Sequence, residues 1–171
     1  TTLSGAWPTG LQFGGEPQVI NDFEQLGAWR RGNQPNGTLT ASDEQRHGGG
    51  ASAKLSYSFP GRGNDYVVFT AQPPRPIAGT PSQLGLWVYG DGSGHALKLW
   101  LRDAQGETLQ FRLGYVGAPG WQLLSAPVSG QVEAYNRISG RGNGRLDSPI
   151  SLAAIVLDDE PDGASGKGAI F

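Results

Sequence analysis

Residues 84–102 read Leu84-Gly85-Leu86-Trp87-Val88-Tyr89, Gly90-Asp91-Gly92-Ser93-Gly94 and His95-Ala96-Leu97-Lys98-Leu99-Trp100-Leu101-Arg102, and their alternation indicates the fold class. On both sides of the glycine-rich turn, aliphatic side chains alternate with aromatic or basic ones, which is the period of two of a β-strand. We therefore predict two strands joined by a turn. Their aliphatic faces would lie in the core, and their outer face would carry Trp87, Tyr89, Lys98, Trp100 and Arg102.

Similar short runs recur along the rest of the chain, separated by Gly, Pro and Asn residues. Each alternates in polarity or is rich in β-branched and aromatic residues, as strands are. We expect the proline cluster at 73–76 to end one strand, since proline cannot donate to a ladder. Only 131–136 indicates a helical turn. The predicted strands cover residues 19–24, 38–42, 51–59, 65–71, 84–89, 96–103, 108–113, 121–128, 150–157 and 167–171.

The composition supports a chain of short strands and excludes several classes of function. The 171 residues include 28 Gly and 12 Pro, and only 16% are charged, which is typical of many tight turns rather than long helices. Cysteine is absent, so no disulfide and no thiolate site can form. The net charge of -2 gives no general attraction to nucleic acid, and no run is long and apolar enough for membrane insertion.

The fold predicted from these patterns is an all-β antiparallel β-sandwich, with the jelly roll as the favoured variant. A half-buried sheet needs a second sheet over its apolar side. The aliphatic residues at alternating positions of the predicted strands supply the inner faces of both sheets. Residues 18–171 would form this domain, and the turn-rich residues 1–17 would form a linker or an N-terminal flap. We expect polar substitution at Leu86 or Leu99 to unfold the domain.

Five segments of the chain resemble a known family. They are 22–24 (Asp-Phe-Glu) with Trp29, 48–57 (GGGASAKLSY), 84–92 (LGLWVYGDG), 120–121 (Gly-Trp) and 166–171 (GKGAIF). Together they are similar to the galactose-binding-domain-like β-sandwiches. Among these the chain looks most like the carbohydrate-binding-module-like domains appended to bacterial secreted glycosidases, including the phosphodiester glycosidase group. The resemblance covers residues 19–171 and implies a jelly roll that binds carbohydrate.

The resemblance also implies a structural calcium ion near the first strand. Asp22 and Glu24 match the carboxylates that such modules place there, and Asp43 could join them from the turn before the glycine-rich loop. Calcium accepts several oxygen ligands at flexible geometry, including backbone carbonyls. The alternative is that Asp22 and Glu24 are ordinary carboxylates at a strand edge. The family's usual acid lies beyond the last aromatic residue, where this sequence ends at Phe171.

The predicted outer face carries the candidate ligand-binding residues. Aromatic rings suit the C–H patches of a pyranose, and cationic or amide side chains can donate to hydroxyl, uronate or phosphate groups. The expected ligand is a polysaccharide or oligosaccharide bound on a concave face, and an acidic glycan is favoured because the candidate residues include three cations and no carboxylate. Alternatively, the rings form a minor core beneath residues 1–17 or the segment 128–150. The candidate residues are Trp87, Tyr89, Lys98, Trp100, Arg102, Gln110 and Arg112.

Catalysis has little support in the sequence. His47 and His95 fit loop or surface positions, and neither lies in a nucleophile or zinc motif. The acidic run at 158–162 fits a solvated turn better than a pair of catalytic carboxylates. The arginines of 137–145 fit either a mobile flap or a solvated loop.

Three classes of function remain open. The first is a non-catalytic carbohydrate-binding module, and the second is a structural or adhesion β-sandwich whose aromatic face contacts another domain of a larger secreted protein. The third, an enzyme with an unfamiliar site, has the least support. For the first two we expect an extracellular or cell-envelope location in a bacterium, with no nucleic-acid partner.

Overall fold

The computed structural model describes residues 17–171 and confirms an all-β antiparallel architecture in that range. A single turn of 3-10 helix, Ala134–Asn136, falls within the predicted helical turn. The strands are β1 (Trp29–Arg31), β2 (Gly37–Ser42), β3 (Ser52–Phe59), β4 (Tyr66–Ile77), β5 (Gln83–Tyr89), β6 (Ala96–Arg102), β7 (Thr108–Tyr115), β8 (Trp121–Pro127), β9 (Arg137–Ser139), β10 (Ile150–Asp158) and β11 (Gly166–Ile170).

The strands form two layers. One layer is a six-stranded sheet of order β1-β4-β10-β6-β7-β9. The other contains the three-stranded sheet β11-β3-β2 and the pair β5-β8. Two backbone hydrogen bonds between Tyr89 and Phe171 connect these parts, with N···O distances of 2.8 and 3.3 Å. The second layer is therefore continuous from β8 to β2.

A single large hydrophobic cluster fills the space between the layers. On β6 the side chains of Leu97, Leu99 and Leu101 are buried in it, and on β5 Leu84 and Val88 are buried in the same way. The intervening aromatic and basic side chains of both strands are at least partly exposed. The predicted alternation, with branched hydrocarbons inside and rings outside, is confirmed.

The predicted pairing of β5 with β6 is wrong. β5 pairs with β8, whereas β6 lies between β10 and β7 in the opposite layer. The intervening loop forms no hairpin, because Gly92 and Gly94 donate their N–H groups to the carbonyls of Gly117 and Val116. The chain therefore crosses from one layer to the other at residues 90–95.

The first predicted strand, 19–24, is also wrong. This segment contains no strand, and Phe23 has a φ of 58°, which breaks an extended conformation. Instead Ile20, Phe23 and Leu26 pack on the core, and the Phe23 ring stacks on Trp29 at 5.6 Å. The apolar periodicity there reflects docking of a loop.

Contrary to the prediction, the proline cluster does not end β4, which runs through Pro73, Pro74 and Pro76 to Ile77. β1 pairs with β4 only as far as Ala71, and the register with β10 shifts between Leu152 and Ala154. Prolines are tolerated where a strand has a free edge or an irregular register, because no ladder donor is required there.

The predicted linker or flap, residues 1–17, lies outside the described residues except for Pro17. Within residues 17–171, no helix has the length and apolar character needed to cross a membrane.

Candidate functional site

The outer surface of the six-stranded sheet gathers five of the seven candidate ligand-binding residues. On β6 these are Lys98, Trp100 and Arg102, and on β7 they are Gln110 and Arg112. Lys98 lies opposite Arg112, and Trp100 lies opposite Gln110 in the ladder. We call this surface the β6–β7 face; Tyr66 on β4, Tyr115 on β7 and Asp158 on β10 complete it.

Trp100 lies at the centre of this face on a small apolar cluster. The cluster contains Val68, Ala154 and Val156, and Tyr66 packs on its other side. The indole nitrogen of Trp100 donates to Oε1 of Gln110 at 2.9 Å. The amide of Gln110 in turn donates to Oδ1 of Asn136 at 3.2 Å. The ring is therefore supported from below and fixed at its edge while remaining partly exposed.

Lys98 and Asp158 form an ion pair on this face, and both side chains are mostly buried. Burial raises the pKa of Asp158, against the opposing effect of its contact with Lys98. The prediction of a solvated acidic turn is thus wrong for Asp158 and Asp159, which are both buried. It fits only Glu160 and Asp162, which are exposed. β10 extends one residue further into the acidic run than predicted, to Asp158. The buried Asp158 carboxylate pairs with Lys98 on the neighbouring strand β6.

Tyr115 and Arg112 are exposed at the β7 side of the face, and Tyr135 is exposed in the adjoining 3-10 turn. Tyr115 is 45% exposed and Tyr135, next to Asn136, is 75% exposed. Arg112 donates to the Tyr115 hydroxyl and lies 5.4 Å from its ring centroid. Among residues 17–171, neither Arg102 nor Arg112 forms a salt bridge. Tyr115 and Tyr135 were not predicted, because the first follows a register shift and the second lies in the 3-10 turn outside the sheet.

The remaining two candidates, Trp87 and Tyr89, lie on the outer surface of the opposite layer. There the His47 ring stacks on Trp87 at 4.2 Å, and Trp121 contacts both His47 and Tyr89. Phe171 completes the group at 6.3 Å from Tyr89. The prediction of one shared aromatic face is therefore wrong, because β5 and β6 belong to different layers.

The segment 129–148 forms a compact lobe at the edge of the β6–β7 face. Its anchor is Glu107, only 1% exposed, whose carboxylate accepts the N–H of Gly144 at 3.0 Å. Arg137 donates to the carbonyl of Asn143 at 2.9 Å, and Gln131 donates to the same carbonyl at 2.7 Å. These internal hydrogen bonds do not fit the predicted mobile flap. The exposed positions of Arg137, Arg141 and Arg145 fit the other alternative, a solvated loop.

The proposed calcium ligands are only partly assembled. The Glu24 carboxylate accepts the N–H groups of Gly50 and Ala51 at 2.9 and 3.1 Å, so it does contact the glycine-rich loop. Asp22 and Asp43 are exposed, and within residues 17–171 no three His, Cys, Asp or Glu side chains form a metal cluster. These side chains do not fit a calcium shell by themselves, so backbone carbonyls would have to complete it. Calcium stays a prediction.

Replacing Glu24 with Gln is expected to lower stability by about 1–2 kcal/mol, since a neutral amide is a weaker acceptor for two backbone N–H groups. Thermal unfolding in EDTA measures this contribution directly. The calcium prediction adds a second expectation, that calcium raises the midpoint of the wild type and not of Glu24→Gln. A wild-type midpoint that is the same in calcium and EDTA would refute the calcium site.

His95 lies in the loop before β6, as one of the two predicted alternatives expected, but it is buried rather than at the surface. It is 4% exposed, its Nδ1 accepts the N–H of Glu160 at 3.2 Å, and its ring packs edge-on against Tyr57 and Phe59. Burial lowers the pKa of His95 despite the nearby acids Asp91 and Asp159. The imidazole is therefore held in its neutral form. His47 lies in a loop, as expected.

Solved structures provide the comparison, since no protein-family model and no curated protein sequence matches the chain. The chain is similar to the family 11 carbohydrate-binding module of the cellulosomal cellulase Lic26A-Cel5E of Clostridium thermocellum, with a TM-score of 0.57 and 14% identity over 90% of this chain and 89% of that one. A family 11 module from the same organism, in complex with a β-1,3-1,4-mixed-linked tetrasaccharide, gives a TM-score of 0.57 and 15% identity over 88% and 89%. The chain thus has the jelly-roll fold of a carbohydrate-binding module, as predicted.

Proposed function

We propose that this chain is a non-catalytic carbohydrate-binding module that binds a polysaccharide on the β6–β7 face. The observation that carries the proposal is Trp100, a partly exposed ring fixed by Gln110 in a fold shared with a module solved with a tetrasaccharide. A ring held in this way offers its flat surface to the C–H patches of a sugar. The exposed Arg102 and Arg112 on the same face offer donors for hydroxyl groups.

The charge on this face favours an acidic polysaccharide. Asp158 neutralises Lys98, but Arg102 and Arg112 have no carboxylate partner within residues 17–171. An unpaired guanidinium can donate two parallel hydrogen bonds to a carboxylate or phosphate. A uronate or a phosphorylated sugar beside Trp100 is therefore the preferred ligand.

The proposal includes a setting for the module. We place it in a bacterial secreted protein, at an extracellular or cell-envelope location, where it would keep its parent protein near a polysaccharide. Other domains of that parent, such as a glycosidase, are its expected covalent partners. No catalytic role is assigned to the chain.

Affinity electrophoresis against immobilised polysaccharides tests the proposed ligand. We expect retention by polygalacturonate or alginate to exceed retention by neutral β-1,3-1,4-glucan. Arg112→Gln should weaken acidic-glycan binding about threefold to tenfold, a cost of roughly 1 kcal/mol. Arg46→Gln, an exposed arginine in the loop between β2 and β3, is the matched control and should bind normally. Equal retention by acidic and neutral glycans would refute the charge preference.

A second candidate function rests on the aromatic group of the other layer. His47, Trp87, Tyr89, Trp121 and Phe171 form a continuous set of ring contacts there. Such a surface suits packing against another domain, as in a structural or adhesion β-sandwich. Failure of every polysaccharide in the panel to retain the wild type would favour this candidate over a binding module.

A further inference from the structure

Asp91, Gly92 and Ser93, from the loop 90–94, form one wall of a cavity that the β6–β7 face does not use. The cavity has a volume of about 330 Å³, and its opposite wall is the segment 164–168, which leads into β11. Tyr57 and His95 close its base. The sequence of this loop indicates only a turn, because its further role depends on β11, which is distant in sequence.

The polar groups around the cavity are built into a fixed network. The Tyr57 hydroxyl donates to Oδ2 of Asp91 at 2.7 Å, and Oδ1 of Asp91 accepts the N–H of Ser93 at 3.0 Å. Burial, followed by the contact with Asp91, raises the pKa of Tyr57 to about 12, so its proton remains on the hydroxyl. Because a carboxylate offers about four acceptor positions, Asp91 keeps acceptor capacity for a ligand.

His95 supplies a donor at the same cavity. Its Nδ1 accepts the N–H of Glu160, so the neutral ring carries its proton on Nε2. His95 lines the cavity, so its Nε2–H is available to donate to a ligand there.

Two glycines on β11 create the space. Gly166 and Gly168 lie two residues apart and therefore present the same side of the strand. A Cβ at Gly168 would lie 2.3 Å from the Asp91 carboxylate and 2.6 Å from the Tyr57 hydroxyl, so only glycine fits beside this pair. A Cβ at Gly166 would meet nothing within 4 Å, which means that it would point into open space.

We propose that this cavity is a second binding site, specific for one neutral sugar ring at the end of a glycan. Asp91 would accept from one ring hydroxyl and His95 would donate to another, a pairing that matches a sugar edge. The Tyr57 ring is buried, so no flat surface is offered for stacking. The negative charge of Asp91 disfavours an anionic sugar, and the volume suits one ring rather than a chain. The site is separate from the β6–β7 face, and its ligand class rests on the proposed carbohydrate-binding function.

Amide NMR titration with D-glucose, D-galactose and D-mannose tests the site. We expect at least one of them to give saturable shifts at Gly92, Gly94, Gly166 and Gly168, with a dissociation constant of millimolar order. Gly166→Leu should fill the cavity without a clash and remove these shifts. Gly27→Leu is the matched control, because a Cβ there also meets nothing within 4 Å.

The outcomes separate this site from the proposed function. Trp100→Ala should leave the monosaccharide shifts unchanged, whereas Gly166→Leu should leave retention by acidic polysaccharide unchanged. The second site is overturned if none of the three sugars shifts these glycines, or if the shifts persist in Gly166→Leu. If no polysaccharide retains the wild type but the monosaccharide shifts are present, the β6–β7 face is refuted and the cavity site stands.

Discussion

Replacing Leu101 with Asp is expected to prevent the domain from folding. Leu101 lies on the central strand β6, is 0% exposed, and belongs to the main core cluster. Truncating such a leucine to Ala costs about 2–5 kcal/mol, and burying an unpaired carboxylate adds several kcal/mol more. The sum approaches or exceeds the ~5–15 kcal/mol that stabilises a typical domain.

Circular dichroism and thermal unfolding provide the measurement. Leu101→Asp should be insoluble or lack a cooperative transition, and Leu101→Ala should fold with a lowered midpoint. Arg102→Gln is the matched control, since the neighbouring side chain on the same strand is exposed. A Leu101→Asp protein with the wild-type transition would show that β6 does not lie in the core as described.

Leu86 is only partly buried, so the expectation that its polar substitution unfolds the domain is reduced to a smaller destabilisation.

The orientation of β6 could be predicted because it depends on local alternation alone. Each aliphatic residue from Leu97 to Leu101 is separated by one polar or aromatic residue, and burial of the aliphatic set forces the others outward. The strand with which a given strand pairs could not be predicted in this way. It depends on contacts between distant segments, so the five residues from Gly90 to Gly94 could be interpreted as a hairpin although they connect two layers.

The carboxylates show the same limit more clearly. Glu107 accepts a backbone N–H from a loop 37 residues away, and Glu24 accepts two from a loop 26–27 residues away. Asp159 accepts one from a residue 4 positions away. Asp159 also accepts the N–H of Asp65, which is 94 residues distant. No spacing pattern marks an acid whose partner is a backbone amide elsewhere in the chain. The resemblance therefore pointed to metal binding for Glu24, and the acidic run at 158–162 was interpreted as a solvated turn that included Asp159.

Replacing Trp100 with Ala is expected to abolish retention by polysaccharide while leaving the domain folded. Loss of a central ring from a binding surface costs about 2 kcal/mol or more, or roughly a 30-fold drop in affinity. A moderate fall in the unfolding midpoint should accompany it, because the ring also packs on Val68, Ala154 and Val156. Affinity electrophoresis and thermal unfolding on the same samples measure both effects.

Two further variants separate binding from packing. Trp100→Leu keeps apolar contact with the small cluster but removes the flat ring, so it should recover stability without recovering retention. Trp121→Ala removes a partly exposed tryptophan from the opposite layer, where it contacts His47 and Tyr89, and should keep full retention. If Trp121→Ala loses retention and Trp100→Leu keeps it, the ligand binds on the aromatic group of the second layer. The arginines beside Trp100 would then have no role in recognition, and the preference for an acidic glycan would fall with the β6–β7 face.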